Sequence, residues 1–472
     1  MNQRPQPDAI RAEPLRQDPH RPQYHFLPSS NWMNDPNGLI QWKGEYHLFY
    51  QHNPNGAFHA DMHWGHAVSK DLVHWEHLPI ALAPTPGGPD KGGVYSGCAV
   101  DNNGVPTLIY TGVFPEVQCL AVGIDDLVSW KKRADPVIAA PPPDLDLFGF
   151  RDPCVFRDGG SWYMALGAGI KRVGGAVLLY KSPDLHEWEY IGPLLVDDSG
   201  LPNKGWECPA PFPLGDKWVL IVSVTPRANV DYFIGTFDGR RFHPEVHRRL
   251  DYGRYFYAPQ TFLDDQGRRV LIGWIWEGRS EQKDIEAGWS GIQSVPRVLT
   301  LRPGGYLGVE PARELQQLRR TYYYGEDLSL ATGVPYQVDI QSNQLEILLA
   351  WQPDAAAEIG LILAQSPQGE EQTKIVFNCE RGQLCVDRRL SNAVGDVDFD
   401  TQIAPLTLGE GEPLKLHVFF DHSVIEIFAN DRLCLTSRIY PTRDDSLRVS
   451  FFAHGGDTRL RTAEIWELQS IW

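Results

Sequence analysis

No apolar run in this 472-residue chain approaches the ~20 residues that a membrane-spanning helix requires, which excludes a helical membrane protein. Positive charge is short as well. Lys and Arg number 43 against 60 Asp and Glu, leaving a formal charge of −17. Such a surface repels phosphate backbones and anionic lipid, so nucleic acid and membranes are excluded as partners and a neutral substrate is favoured. The seven cysteines are odd in number and contain no CxxC pair, which argues against a disulfide framework or a zinc ribbon. A Gly-x-Ser-x-Gly elbow is missing, and with it the usual entry to Ser-His-Asp chemistry. The first thirty residues are polar and lack the apolar core of a secretory signal, so a cytoplasmic location is expected.

What the chain has in quantity is aromatic and turn-forming residues: 15 Trp, 18 Tyr, 20 Phe, 44 Gly and 37 Pro. Frequent Gly and Pro suit many short strands joined by turns, and the length suits two domains. The aromatic surplus suits a protein that handles carbohydrate.

A repeat of roughly 55 residues organises the first two thirds. Ser69-Lys70-Asp71-Leu72-Val73-His74-Trp75 recurs as Ile124-Asp125-Asp126-Leu127-Val128-Ser129-Trp130 and as Ser182-Pro183-Asp184-Leu185-His186-Glu187-Trp188. A looser copy is Thr236-Phe237-Asp238-Gly239-Arg240-Arg241-Phe242, and a fifth unit around Tyr257–Phe262 and 269–276 lacks the corner. Each copy follows two strand-like runs, the pattern of propeller blades, with the Asp capping a turn between outer strands. The expected division is an arm at 1–23, a propeller at 24–310, a linker with a short helix at 311–334 and a β-sandwich at 335–472. The helix is expected within Pro311–Arg320, from its Leu spacing.

Innermost strands of a propeller surround a central funnel, so residues beside them converge although distant in sequence. Three acids sit beside such strands: Asp35 in Asn34-Asp35-Pro36-Asn37-Gly38, Asp152 in Phe150-Arg151-Asp152-Pro153, and Glu207 in Trp206-Glu207-Cys208-Pro209. Each is followed closely by Pro, which is expected to hold the acid extended. Asn-Asp-Pro-Asn-Gly alone would read as a tight turn, but a turn needs neither the aromatic wall of Trp32 nor amides on both sides of the acid. Two carboxylates are the minimum equipment for glycoside hydrolysis. Amide hydrogen bonds would keep Asp35 ionised as a nucleophile, the apolar neighbours of Glu207 would keep it protonated as a general acid, and Arg151 would keep Asp152 ionised.

The three acid segments together resemble the signatures of glycoside hydrolase family 32, the invertases, levanases and inulinases. Tyr50-Gln51-His52-Asn53-Pro54, Trp64-Gly65-His66, Tyr95-Ser96-Gly97, Trp289-Ser290-Gly291 and Asp421-His422-Ser423-Val424-Ile425-Glu426 extend the resemblance over essentially everything after residue 23. The resemblance implies an all-β chain, a five-bladed β-propeller followed by a C-terminal β-sandwich. It implies retaining cleavage of terminal β-fructofuranosyl linkages in sucrose and related fructosides, with no metal or organic cofactor. Carried over, Asp35 is the nucleophile, Glu207 the acid and base, and Asp152 the stabiliser of the transition state. Trp32, Asn34, Gln51, Trp64, Tyr95, Ser96, Arg151 and Trp276 are the expected substrate-binding residues. Ala210 departs from the acidic or bulkier residue of many relatives, and Tyr95 from a common Phe.

Several alternatives stand beside this reading. Fructan exohydrolases and fructosyltransferases share the acids and differ in the leaving group or acceptor. A sucrose-6-phosphate hydrolase would need cations at the funnel rim, an arabinose- or xylose-polymer hydrolase would invert, and a sugar-binding propeller would not turn over. The histidines His59, His63, His66, His74 and His77 crowd one region, although their spacing suits no usual zinc site. The sandwich offers a surface for a second copy, which leaves self-association open.

Overall fold

The computed structural model describes residues 18–124, 127–197, 205–353, 356–394 and 400–472. It is all-β. Among the described residues, helix is confined to the α-helix Glu281–Ala287 and the 3-10 turn Arg313–Leu318. Neither is long and apolar enough to cross a membrane.

Five antiparallel sheets come first. Their leading strands are Asn31–Trp42, Val94–Asp101, Leu147–Asp158, Gly205–Leu214 and Phe256–Leu263, and the strands of the first four follow in chain order. The leading strand of each sheet packs against that of the next, and the fifth packs against the first, closing a ring. This is the N-terminal propeller. Closure is reinforced by a short parallel pairing of Asn31 and Trp32 with Trp289 and Ser290, and by Gln293 Nε2 donating to the Asn34 carbonyl at 2.8 Å.

The repeated corner is a capped turn between third and fourth strands, as the sequence indicates. Asp71 accepts from the backbone N–H groups of Val73 and His74, Asp184 from those of His186 and Glu187, and Asp238 from those of Arg240 and Arg241. The residue after the Asp is left-handed in every copy: Leu72, Leu127, Leu185 and, where no side chain is needed, Gly239. Asp125 and Asp126 lie outside the described residues. The corner aromatic reaches the neighbouring sheet where Trp130 meets Phe49 edge-on at 5.5 Å.

Two six-stranded sheets follow, face to face. Leu345, Ile347, Leu349 and Trp351 of one point between the layers at Leu361, Leu363, Ile375 and Phe377 of the other, all buried. Period-two alternation therefore builds this core. One expected boundary moves. The stretch expected to be a linker contains the strand Arg319–Leu330, which pairs with Thr458–Leu468 and forms the edge of the first sheet. The helical expectation over Pro311–Arg320 shrinks to the six-residue 3-10 turn, and the strand after it carries charged and tyrosyl residues, which suits an edge.

The two domains share a buried polar seam. His25 lies between Asp421 (Nδ1 to Oδ2, 2.9 Å) and Glu426 (Nε2 to Oε1, 3.0 Å), with all three side chains fully buried. Asp421 also accepts the backbone N–H groups of Gln23, Tyr24 and His25. Arg297 bridges Glu426 at 2.6 Å and Asp251 at 2.9 Å. The described part of the expected arm, residues 18–23, is therefore tied to both domains: Asp18 also accepts from Arg279 and from the Trp289 indole, each at 2.8 Å. Residues 1–17 lie outside the described part.

Candidate active site

Every leading strand breaks its pairing beside the funnel, and the first and third break a second time, at Asn37/Ile40 and between Phe148 and Phe150. The breaks beside the funnel fall at Met33/Pro36, Tyr95/Gly97, around Asp152 and Pro153, at Glu207/Ala210 and at Tyr257/Gln260. A β-bulge sets two residues against one, bends the strand and re-aims side chains that alternation would send to opposite faces. Asp35, Ser96, Asp152, Glu207 and Tyr257 all sit at these bulges. In the third, fourth and fifth sheets the break is marked by Asp152-Pro153, Cys208-Pro209 and Ala258-Pro259. Proline costs nothing there, since no ladder N–H is needed.

This corrects the expectation that proline holds each acid extended. Asp152 is not extended: its φ is 61°, with 47° at Cys208 and 48° at Ala258, so all three residues before proline are left-handed. Nor do the acids share one phase. Aligned on the prolines, Asp152 corresponds to Cys208 and Ala258, whereas Glu207 corresponds to Arg151 and Tyr257. Two tiers result.

The inner tier is deeply buried, with Asp152 5 %, Cys208 3 % and Ser96 3 % exposed. Asp35 joins it, accepting from Ser96 Oγ at 2.5 Å, Asn34 Nδ2 at 3.0 Å and the Cys208 thiol at 3.5 Å. The same thiol lies 3.6 Å from Asp152 Oδ2, which also accepts the Cys208 backbone N–H at 3.0 Å. In the outer tier Tyr257 donates its hydroxyl to Glu207 Oε2 at 2.7 Å, and Arg151 Nη1 lies 3.3 Å from Glu207 Oε1.

Burial sets the electrostatics. It raises the Asp35 carboxyl above the ordinary carboxylate range against the hydrogen bonds from Ser96, Asn34 and Cys208. Burial also raises Glu207, helped by Asp35 and opposed by Tyr257 and Arg151. Asp152 goes furthest: burial and the neighbouring Glu207 push it up to about 8, overriding Arg151. The sequence-based expectation that Arg151 keeps Asp152 ionised therefore fails. Arg151 spends itself elsewhere, on Glu207 and on Glu116, a residue that motif reading missed. Tyr257 was missed too, although its distance from Pro259 equals that of Glu207 from Pro209.

An aromatic rim surrounds the acids. Trp32 packs against Trp274 at 5.9 Å and edge-on against His59 at 5.8 Å, and His59 lies 6.5 Å from Tyr95. The Trp32 indole N–H donates to Asn34 Oδ1 at 2.7 Å, which fixes the amide that holds Asp35. Three expected substrate contacts sit differently. Trp64 is fully buried, its indole N–H bonded to the Tyr95 carbonyl, so it cannot offer a face to a sugar. Gln51 is 2 % exposed and donates to the Val94 carbonyl. Both hold neighbouring sheets together behind the wall. Trp276 bonds to the Arg254 carbonyl and packs on Tyr255, while Trp274, cross-strand from Tyr257, meets Trp32. Two glycines make the nucleophile strand possible. Gly38 is left-handed beneath Phe49 and Trp64, and a Cβ at Gly291 would stand 1.9 Å from the Met33 carbonyl oxygen.

The crowded histidines disperse. His66 faces His47, His74 caps onto Asp71 and His77 meets Tyr50. A cavity of about 500 Å³ continues along the ring axis behind Asp152 and Cys208, lined by the leading strands.

Residues 25–311 match the model of the glycosyl hydrolases family 32 N-terminal domain, and residues 314–467 that of the family 32 C terminal. A sucrose-6-phosphate hydrolase of Zymomonas mobilis is 37% identical, over 95% of this chain and 92% of that protein. A levanase of Bacillus subtilis is 34% identical, over 96% of this chain and 71% of its own. The crystal structure of fructan 1-exohydrolase IIa from Cichorium intybus superposes with a TM-score of 0.88 at 29% identity, covering 96% of this chain and 98% of that one.

Proposed function

The chain belongs to glycoside hydrolase family 32 and is a fructoside-cleaving β-fructofuranosidase, and on that footing we propose how its residues divide the work. The five sheets are read as five blades of the propeller at 24–310, with the sandwich behind it. Asp35 attacks the anomeric carbon of a terminal β-fructofuranosyl unit. Its new C–O bond forms as the glycosidic C–O bond breaks and Glu207 hands its proton to the leaving oxygen. Glu207, now a carboxylate, takes a proton from water, whose oxygen displaces Asp35 and restores the acid. Configuration is retained over the two displacements.

The observation that carries this reading is the Cys208 thiol, which ties the carboxylates of Asp35 and Asp152 together while its neighbour Glu207 stands one tier outward. A sugar ring entering past Trp32, Trp274 and Tyr95 meets the acid first and the nucleophile below it. Asp152, whose carboxyl is raised by burial and by Glu207, hydrogen-bonds a fructosyl hydroxyl and faces the ring where positive charge develops. Sucrose and related fructosides are the proposed substrates.

Asp35→Asn and Glu207→Gln should each lower turnover of sucrose by roughly 10³-fold or more with the fold intact by circular dichroism. Sucrose, raffinose, inulin, levan and sucrose-6-phosphate, with free and transferred fructose resolved, define the leaving group. Near-normal turnover in either variant removes the assignment.

A further inference from the structure

Between the second and third strands of the second sheet, a hairpin carries Glu116 to the funnel mouth. One carboxylate oxygen lies 2.9 Å from Arg151 Nε, and the other accepts the Phe150 backbone N–H at 2.5 Å. Arg151 thus has two carboxylates. Glu116 holds its Nε edge closely, while Glu207 meets Nη1 at 3.3 Å. All three side chains retain a quarter or so of their surface, so none is a buried structural pair.

We infer that Glu116 is a positioning residue for proton transfer: it engages the Arg151 guanidinium and so weakens that cation's hold on Glu207. The inference rests on Glu207 being the acid. A lone arginine against a general acid would favour its carboxylate form and leave it without a proton to give. Balanced by Glu116, the same arginine can orient Glu207 without stripping it. Glu116 also grips Phe150, the residue before Arg151, so guanidinium and backbone are fixed by one carboxylate. The groups facing Glu207 are Arg151 and Tyr257 in contact, with Asp35, Asp152, Tyr95, Cys208 and Glu116 around them. Among these, Glu116 acts on Glu207 in the raising direction and Arg151 in the lowering one.

Glu116→Gln keeps the shape and removes the charge, whereas Glu116→Asp keeps the charge and shortens the reach. The alkaline limb of kcat/KM for sucrose should move down by about 0.5–1 pH unit in Glu116→Gln, a fraction of the ~1–3 units exerted by a directly adjacent charge. Glu116→Asp should restore most of that displacement. Both variants are first checked by thermal melting. If Glu116→Gln loses activity at every pH with an unmoved limb, or if the Asp variant moves it as far, the inference fails. An activated fructoside with a nitrophenolate leaving group separates this from failure of the underlying reading. Glu207→Gln should still release one equivalent of nitrophenolate in a pre-steady-state burst from that substrate while losing sucrose turnover. Absence of the burst would unseat Glu207 as the acid.

Discussion

Replacing Gly291 by Ala tests how tightly the nucleophile strand is located. Gly291 has φ +82°, and a Cβ there would lie 1.9 Å from the Met33 carbonyl oxygen and 2.8 Å from Trp274 Nε1. An ordinary C···O contact needs about 3.3 Å, so the Met33 peptide must retreat by about 1.4 Å. That peptide leads directly into Asn34 and Asp35. A misplacement of about 1 Å at a reacting group costs on the order of 10²-fold in rate, which sets the expected loss of kcat. Left-handed strain adds roughly 1–2 kcal/mol of instability for a residue with a Cβ. The control is Gly44→Ala. Gly44 shares φ +82° but has nothing within 4 Å of its would-be Cβ, so it carries the strain without the clash. Steady-state glucose release from sucrose and thermal melts should therefore split the two variants. Both lose stability, while only Gly291→Ala loses turnover, by about 10²-fold. Equal kinetics in both variants, or a Gly291→Ala enzyme within threefold of the parent, would refute the reasoning.

The seam at His25 should make stability pH-dependent. Burial opposes its charge, but the hydrogen bonds to Asp421 and Glu426 outweigh burial and raise it above 6.5. A group raised on folding stabilises fully below its unfolded value, and that contribution is lost as pH climbs from 6.5 through the folded value. Melting temperature should accordingly fall along that interval. His25→Gln should cost roughly 3–5 kcal/mol at pH 6 by stranding buried carboxylates, and should flatten the slope; an unchanged slope would exonerate the histidine. At the rim, Trp274→Ala should lower kcat/KM about tenfold, the worth of one aromatic contact, and Trp276→Ala by less than twofold. The reverse ranking in sucrose kinetics would return Trp276 to the substrate.

The corner motif made the ring legible, because a capping Asp, a left-handed residue and an aromatic must recur wherever the same turn recurs. The acids were legible through their prolines. What the proline spacing means was not. One residue separates Glu207 from Pro209 and none separates Asp152 from Pro153, a difference that shifts the acid by a tier once the strands bulge. Bulges arise from packing across the ring, and the prolines mark where they fall without saying how they re-aim the acids. Trp64 illustrates the same limit: a tryptophan beside a sugar motif reads as a platform until its neighbours are seen to enclose it. Trp274 and Trp276 differ by one turn of the strand's alternation, so they share a face in sequence and only the ring decides which meets Trp32. The strand Arg319–Leu330 was hidden for a different reason, since an edge strand with charged and tyrosyl residues lacks the apolar alternation of the strands within.

The pairing of Asn31 and Trp32 with Trp289 and Ser290, and the bond between Asn34 and Gln293 across 259 residues of sequence, carry a consequence for biosynthesis. The strand that bears Asp35 is made well before the segments that seat it. The N-terminal stretch before it waits longer still for Asp421 and Glu426. A nascent chain therefore carries its nucleophile on an unseated strand until the segments through Glu426 have been made. Truncated products of the same message should be inert, and a separately supplied C-terminal fragment is what could wake them.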